Sequence, residues 1–499
     1  MRFGQMVLAA MLAFAARAEA SCTHPSGELL AISGDITQGN LRGTFTRELD
    51  PTTGRFEESV DLGPVKSGTG FDGRLAWSRD VSGASHFLTS DFARQVAVSE
   101  AWLTENLNCP PPAHLRAARH MGPNDSGFDV WKVTPEGGAP IELWYNFRTG
   151  ELDRSILQYS ENRLIHHYSD WRDVARGLRL PFAQRDEDPE DESESLYTVR
   201  KVERLKGASF NPPPLPNDSR ILAGKSTTIP FEDDGGRRIF LPVYLNGKGP
   251  FAFELDNGGH FILTEATAKS LGLAAQGSFS STGAGNAVRQ AGYVPIARIS
   301  VGSAEIVDQT AKVLPLSSNE RGSLPPRAGI LGLEFFERFI VGIDHRKKTV
   351  TLSRIAEPIR ATSGRPIRLL FDEDAPLVEG SYEGAKGNIM LDIGNAGPTI
   401  IEDYWATQNG LAEALSNGTP NGSSKLSRGK ISIGPFRLSH ETVRYFGSAE
   451  RGSEYTRSVA AIAGEPLLSR FNAIYDYGRQ TVWFEPVPGY SAVSFEKSP

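Results

Sequence analysis

Apolar and polar positions alternate in short segments over much of the N-terminal half, the period-2 pattern of half-buried strands. Residues 71–77, Phe-Asp-Gly-Arg-Leu-Ala-Trp, set a turn dipeptide between aromatic flanks and predict a hairpin. Residues 142–147, 148–150 and 156–159 predict strand, turn and strand. Residues 91–107 are the one helix-like stretch of this half. The acidic run 185–194 predicts a solvated loop or a hairpin tip. His166 and His167, neighbours in a predicted strand, point to opposite faces and read as surface or satisfied core positions. Further along, residues 240–245 and 251–255 flank Asn246-Gly247-Lys248-Gly249, a hairpin with an Asn-Gly turn that runs straight into Asp256.

The N-terminus breaks this pattern. Arg2, an apolar run over 6–16 and Ala18-Glu19-Ala20 form the three parts of a secretory signal peptide, with cleavage expected before Ser21. The run is too short to span a bilayer, and no later apolar stretch reaches spanning length, so export to the periplasm or the medium is expected. In an oxidising compartment Cys22 and Cys109, the only cysteines, most simply pair.

Four prolines within residues 211–217 make an extended connector. The expected organisation is a signal peptide (1–20), an N-terminal domain (21–210), a Pro-rich linker (211–220) and two lobes (221–360 and 361–499). The 51 glycines and 32 prolines, 83 of 499 residues, exceed the usual share of ~12%. They favour many turns and short strands over a helical bundle. A formal net charge of −7 without a Lys/Arg cluster leaves no nucleic-acid footprint. No Cys/His zinc spacing exists, so no metal is expected.

The two lobes are read from a repeat. Gly332, Arg338, Phe339 and Asp344 recur as Gly464, Arg470, Phe471 and Asp476 at a constant offset of 132 residues, and Thr349-Val350 recurs as Thr481-Val482. Leu255-Asp256-Asn257-Gly258 recurs as Leu391-Asp392-Ile393-Gly394, offset 136. Each lobe therefore has an apolar strand ending in Leu-Asp-x-Gly and a later apolar-apolar-Gly element, Ile330-Leu331-Gly332 and Ile462-Ala463-Gly464. A carboxylate at a strand end followed by glycine sits in a tight turn that backbone N–H groups can approach. Two such carboxylates brought face to face cannot both ionise easily, so one holds a proton while the other can act as a base. Asp344 and Asp476 also match each other but read as hairpin-turn residues outside the site.

This layout resembles the pepsin/retropepsin aspartic peptidases over roughly residues 225–490. The resemblance implies a mostly β fold of two tandem pepsin-like lobes and peptide-bond hydrolysis by Asp256 and Asp392, with no cofactor. It implies supporting turn and dyad contacts from Asn257, Gly258, Gly259, Gly332, Ile393, Gly394, Asn395 and Gly464, and a flap at Thr282, Gly283, Ala284 and Gly285. The polar segment 417–424 of the second lobe reads as a flexible loop. Active members usually carry Thr or Ser after each Asp, whose hydroxyl locks the two loops together; here Asn257 and Ile393 stand there. Asn395 is placed to contact its lobe's carboxylate.

A looser resemblance covers about residues 30–205. The segments 71–77 and 144–150 and the Asp170-Trp171-Arg172…Leu180-Pro181-Phe182 pattern are similar to the lipoprotein-carrier and outer-membrane-lipoprotein-sorting family. That family implies a strongly curved antiparallel sheet, a half-barrel able to hold an acyl chain or peptide. Two functions follow as expectations: an aspartic-type endopeptidase of the cell envelope acting on peptides or unfolded proteins, and a non-catalytic peptide-binding protein. A monomer is expected, because both lobes lie in one chain.

Overall fold

A computed structural model describes residues 28–107, 118–123, 127–159, 163–175, 178–189, 192–235, 237–283, 285–316, 325–359, 364–447, 458–489 and 493–495. The signal-peptide segment, Cys22, Cys109 and Ala284 lie outside them. The chain divides into two compact units. The first holds the described residues up to Asp80 and from Phe87 to Pro212; the second holds Val81–His86 and the residues from Pro213 onward.

Among the described residues, the first unit is built on a thirteen-stranded antiparallel sheet. Its sequential hairpins fan out on both sides of a central pairing between Leu29–Gln38 and Ser193–Leu205, which runs from Leu29↔Leu205 to Gln38↔Ser195 with a register shift between Ser33 and Gly34. The predicted hairpin forms between Lys66–Phe71 and Ala76–Arg79, with Phe71 opposite Ala76 and Gly73 at φ +97° in the turn. Trp77 is fully buried, and its indole N–H donates to the Phe210 carbonyl at 2.8 Å. The predicted helix spans Asp91–Asn106 and starts on Ser90, whose Oγ accepts the Ala93 N–H at 2.9 Å. Its Val96 packs with Val133, Ile141, Leu143, Tyr145, Leu152 and Leu157.

The acidic run is more ordered than a solvated loop. Strand residues extend through Asp188 and resume at Ser193, so only the tip separates the two arms. Asp186 lies opposite His166 across the ladder and accepts from its Nδ1 at 2.7 Å; His167 pairs with Glu187 at 3.3 Å. Both histidines are thus satisfied positions. Arg47 donates to Glu58 at 2.7 Å, and Tyr159 donates its hydroxyl to Glu100 of the helix. Burial pushes the Glu100 carboxyl up, while the Tyr159 hydrogen bond and the charge of His166 act to lower it.

The second unit begins sooner than the expected linker end, since Ser219–Ile221 already pairs with Ala304–Leu314. Each lobe repeats one pattern of pairing. In the first, Lys248–Leu255 lies between its antiparallel hairpin partner Ile239–Leu245 and the parallel strand Gly329–Leu331. In the second, Ala385–Asp392 lies between Ala375–Tyr382 and the parallel strand Ala461–Gly464. A six-stranded sheet takes three strands from each lobe and is sewn by the antiparallel pair Phe339–Asp344 and Phe471–Asp476, with Val341 opposite Tyr475. Asp344 and Asp476 close hairpin turns beside this seam, accepting from Lys347 N and Arg479 N at 2.9 Å each. Segment 417–424 is a short hairpin rather than a loop: Thr419–Asn421 pairs with Ser424–Ile433, and Gly422 supplies a left-handed φ of +60°.

Candidate active site

Both aspartates stand where an apolar strand leaves the lobe core. Leu255 and Leu391 are fully buried just before them. The parallel pairing that puts Leu255 beside Leu331 also directs the Asp256 N–H to the Leu331 carbonyl at 3.1 Å. In the second lobe Asp392 itself pairs with Gly464. The apolar-apolar-Gly elements are thus the direct neighbours of the aspartate turns.

Gly332 and Gly464 are glycines for steric reasons. A Cβ on Gly332 would lie 2.2 Å from the Gly259 carbonyl oxygen, and one on Gly464 would lie 2.5 Å from that of Gly397. That closeness lets Leu333 N–H reach the Gly259 oxygen at 2.7 Å and Glu465 N–H reach that of Asn395 at 2.8 Å.

The carboxylates are held by backbone donors. Gly258 N–H donates to Asp256 Oδ1 at 3.0 Å, and Asn395 N–H donates to Asp392 Oδ1 at 2.9 Å. Asn395 therefore contacts its carboxylate through the main chain; its side-chain oxygen turns to Gly397 N–H at 2.9 Å. The two turns then cross over. A Cβ on Gly394 would lie 2.4 Å from Asp256 Oδ2, and one on Gly258 would lie 3.9 Å from Asp392 Cγ. Gly394 thus faces the other lobe's carboxylate, while Gly258 lies between the two. A Cβ on Gly259 would lie 3.0 Å from Asp256 Oδ2, so Asp256 sits in a cradle of three glycines.

Electrostatics follow from this placement. Burial, then the neighbouring charge of Asp392, then that of Glu254 push the Asp256 carboxyl well above the usual range. Glu254 is buried on the same strand two residues earlier and is paired with Arg238 at 2.9 Å and with Arg327.

The lock beneath the pair is asymmetric. Asn257 is fully buried, and its Oδ1 accepts the backbone N–H of Ile393 at 2.9 Å. The Ile393 side chain packs into the core and makes no reciprocal bond. Tyr477 fills that role: its hydroxyl donates to the Asn257 carbonyl at 3.2 Å and lies 3.3 Å from Asn257 Nδ2. Tyr477 and Glu254 were not among the predicted site residues. A lone acid in the apolar run 251–255 was the available signal for Glu254, and the repeat aligns Tyr477 with His345, which hides its role.

At the expected flap, the backbone forms a hairpin between Gln276–Gly283 and Gly285–Val301, with Gly283 opposite Gly285 and Ser281 opposite Arg289. Thr282, Gly283 and Gly285 lie on its arms.

Residues 241–335 match a family described as aspartyl protease. The matched stretch includes Asp256, Asn257, Gly258, Gly259 and Gly332, and there the resemblance to aspartic peptidases is borne out. No curated protein matches the chain. Among solved structures, the crystal structure of aspartic proteinase from Irpex lacteus is similar at 13% identity and a TM-score of 0.38, covering 54% of this chain and 99% of that one. The family match does not reach residues 30–205, so only its own motifs carry the lipoprotein-carrier resemblance.

Proposed function

We propose that the second unit is an aspartic-type endopeptidase that hydrolyses peptide bonds with Asp256 and Asp392 acting together. The observation that carries this reading is the crossed cradle, in which Gly394 of one lobe faces the Asp256 carboxyl of the other. Water held between the carboxyls loses a proton to Asp392 as it attacks the scissile carbonyl carbon. Asp256, kept protonated by burial and by its neighbour's charge, donates a hydrogen bond to the carbonyl oxygen. The proton reaches the leaving amine as the tetrahedral intermediate collapses. The two groups titrate as one pair sharing a proton, which the burial of Asp256 favours on that carboxyl. Both lobes lie in one chain, so a monomer supplies the whole pair, and the leader pattern of residues 1–20 supports work in the cell envelope.

The test is hydrolysis of a denatured protein by the full chain from pH 3 to 8. Asp256→Asn and Asp392→Asn should each abolish it, and full activity in both variants overturns the assignment. The apolar Ile393 favours a second reading, a lobe pair that grips an extended peptide without cleaving it. Peptide binding by wild type with no turnover anywhere in that pH range would decide for it.

A further inference from the structure

The six residues Val81–His86 belong to the second unit although most of their sequence neighbours belong to the first. They are held there by buried charge. The Arg338 guanidinium is fully buried and donates to both oxygens of Asp218 at 2.8 and 2.7 Å, to the Ser82 carbonyl at 2.7 Å and to Ser82 Oγ at 2.9 Å. At the end of the segment, the His86 imidazole donates from Nε2 to the Glu373 carbonyl at 2.8 Å and from Nδ1 to Glu337 at 3.2 Å. Nε2 must donate to the carbonyl, and Nδ1 lies against a carboxyl that can accept from it, an arrangement that suits an imidazolium.

Glu373 and Asp374 form the two-residue turn between Leu370–Asp372 and Ala375–Tyr382, in which Asp372 pairs with Ala375 and Glu373 sits at φ +49°. Asp374 then reaches both imidazoles. Its Oδ1 lies 3.7 Å from His86 Nε2, and its Oδ2 accepts from His260 Nε2 at 2.8 Å. His260 immediately follows Gly259 in the loop that cradles Asp256, and its backbone packs on Gly332. Its other nitrogen lies 3.4 Å from Glu334, which also accepts the Phe261 N–H at 3.0 Å.

We infer that His86 is a positioning residue for the catalytic loop, acting through Asp374 and His260 to hold the Gly259–Phe261 backbone, and thereby Asp256, in register with the second lobe. The inference rests on the peptidase reading. Burial, and at His260 the charge of Lys312, act to lower the imidazoles, but nearby carboxylates raise His86 to about 9 and His260 to about 10; against its own burial, the two imidazoles hold Asp374 below the usual carboxylate range. The bridge therefore stays charged across the range in which the peptidase is assayed. Charge on His86 adds a second cation, at 3.7 Å, to the one that His260 gives Asp374 at 2.8 Å.

The experiment compares the full-length wild type with His86→Ala, His86→Gln and Asp374→Asn. It reads steady-state hydrolysis of a denatured protein and amide hydrogen exchange over residues 257–262. His86→Ala should lower kcat about tenfold with KM changed less than about twofold, because the reacting groups shift while the peptide-binding surface stays. Exchange over 257–262 should rise in the same variant. His86→Gln, whose amide can still donate to the Glu373 carbonyl, should recover much of both effects. If His86→Ala does not fold, the near-isosteric Asp374→Asn carries the same two expectations. A folded His86→Ala with wild-type kcat and wild-type exchange overturns the inference. A wild type that cleaves nothing overturns the peptidase reading instead, and the exchange comparison then still decides whether His86 holds the loop.

Discussion

The Asn257 side chain accepts the backbone N–H of Ile393 at 2.9 Å, so one lobe's aspartate turn is tied to the other by a buried amide. In active aspartic peptidases hydroxyls at these two positions usually serve both turns. Here a larger polar group does half of that work, and Tyr477 supplies the rest from the hairpin turn that follows Phe471–Asp476.

This division of labour makes the lock testable. Asn257→Ala removes the acceptor for a fully buried N–H and a partner for the Tyr477 hydroxyl. An orphaned buried donor costs about 1–3 kcal/mol. The variant should therefore lose about that much stability in urea unfolding and most of its peptidase activity. Tyr477→Phe spares the Ile393 bond and should cost about 1 kcal/mol. An unchanged urea midpoint in Asn257→Ala would show that the amide ties nothing together.

Much of this site was legible because its parts are local. Asp256, Gly258, Asp392 and Gly394 lie at the ends of strands whose apolar pattern is plain, and the repeat pointed to Gly332 and Gly464 as their partners. Glycines at those positions answer to close backbone contacts that occur once per lobe, and duplication prints such contacts twice in the chain. What was not legible depends on distance. Tyr477 meets Asn257 across 220 residues, and His86 meets Glu373 across 287. Neither has a spacing or a repeat partner in the same role. The polar lining of the first unit was hidden for a related reason. Its strands alternate like any half-buried strand, and only the pairing register shows that Arg47 faces Glu58 and that His166 faces Asp186.

The crossed glycines separate steric effects on the catalytic pair from general damage. Gly394→Ala would put a methyl 2.4 Å from both Cγ and Oδ2 of Asp256, closer than any real contact, so the carboxyl must move. A displacement of about 1 Å at a reacting group costs about 10²-fold in rate. Gly258→Ala meets the Met390 Cε first, at 2.9 Å, and a methionine tip can swing away. Peptidase assays should therefore show a loss of roughly a hundredfold in Gly394→Ala and a much smaller one in Gly258→Ala. Equal losses in the two variants would mean that the glycines do not face the carboxyls differently.

The last prediction concerns pH, and its sign follows from the direction of the Asp256 shift. Its folded pKa is raised above the unfolded value of about 3.9. Below about pH 3 the group is protonated in both states and costs nothing. As pH rises past the unfolded value, the unfolded chain releases a proton that the folded chain retains. Stability falls until the folded value is passed. Asn cannot ionise, and its Oδ1 can still accept the Gly258 N–H, so Asp256→Asn escapes this loss while keeping the turn. The inactive variant should therefore be more stable than wild type at pH 7, with a higher urea midpoint, and the gap should shrink toward zero near pH 3. A gap that widens on acidification, or no gap at pH 7, would mean that Asp256 carries no raised pKa in the folded protein and that the proton of the pair lies elsewhere.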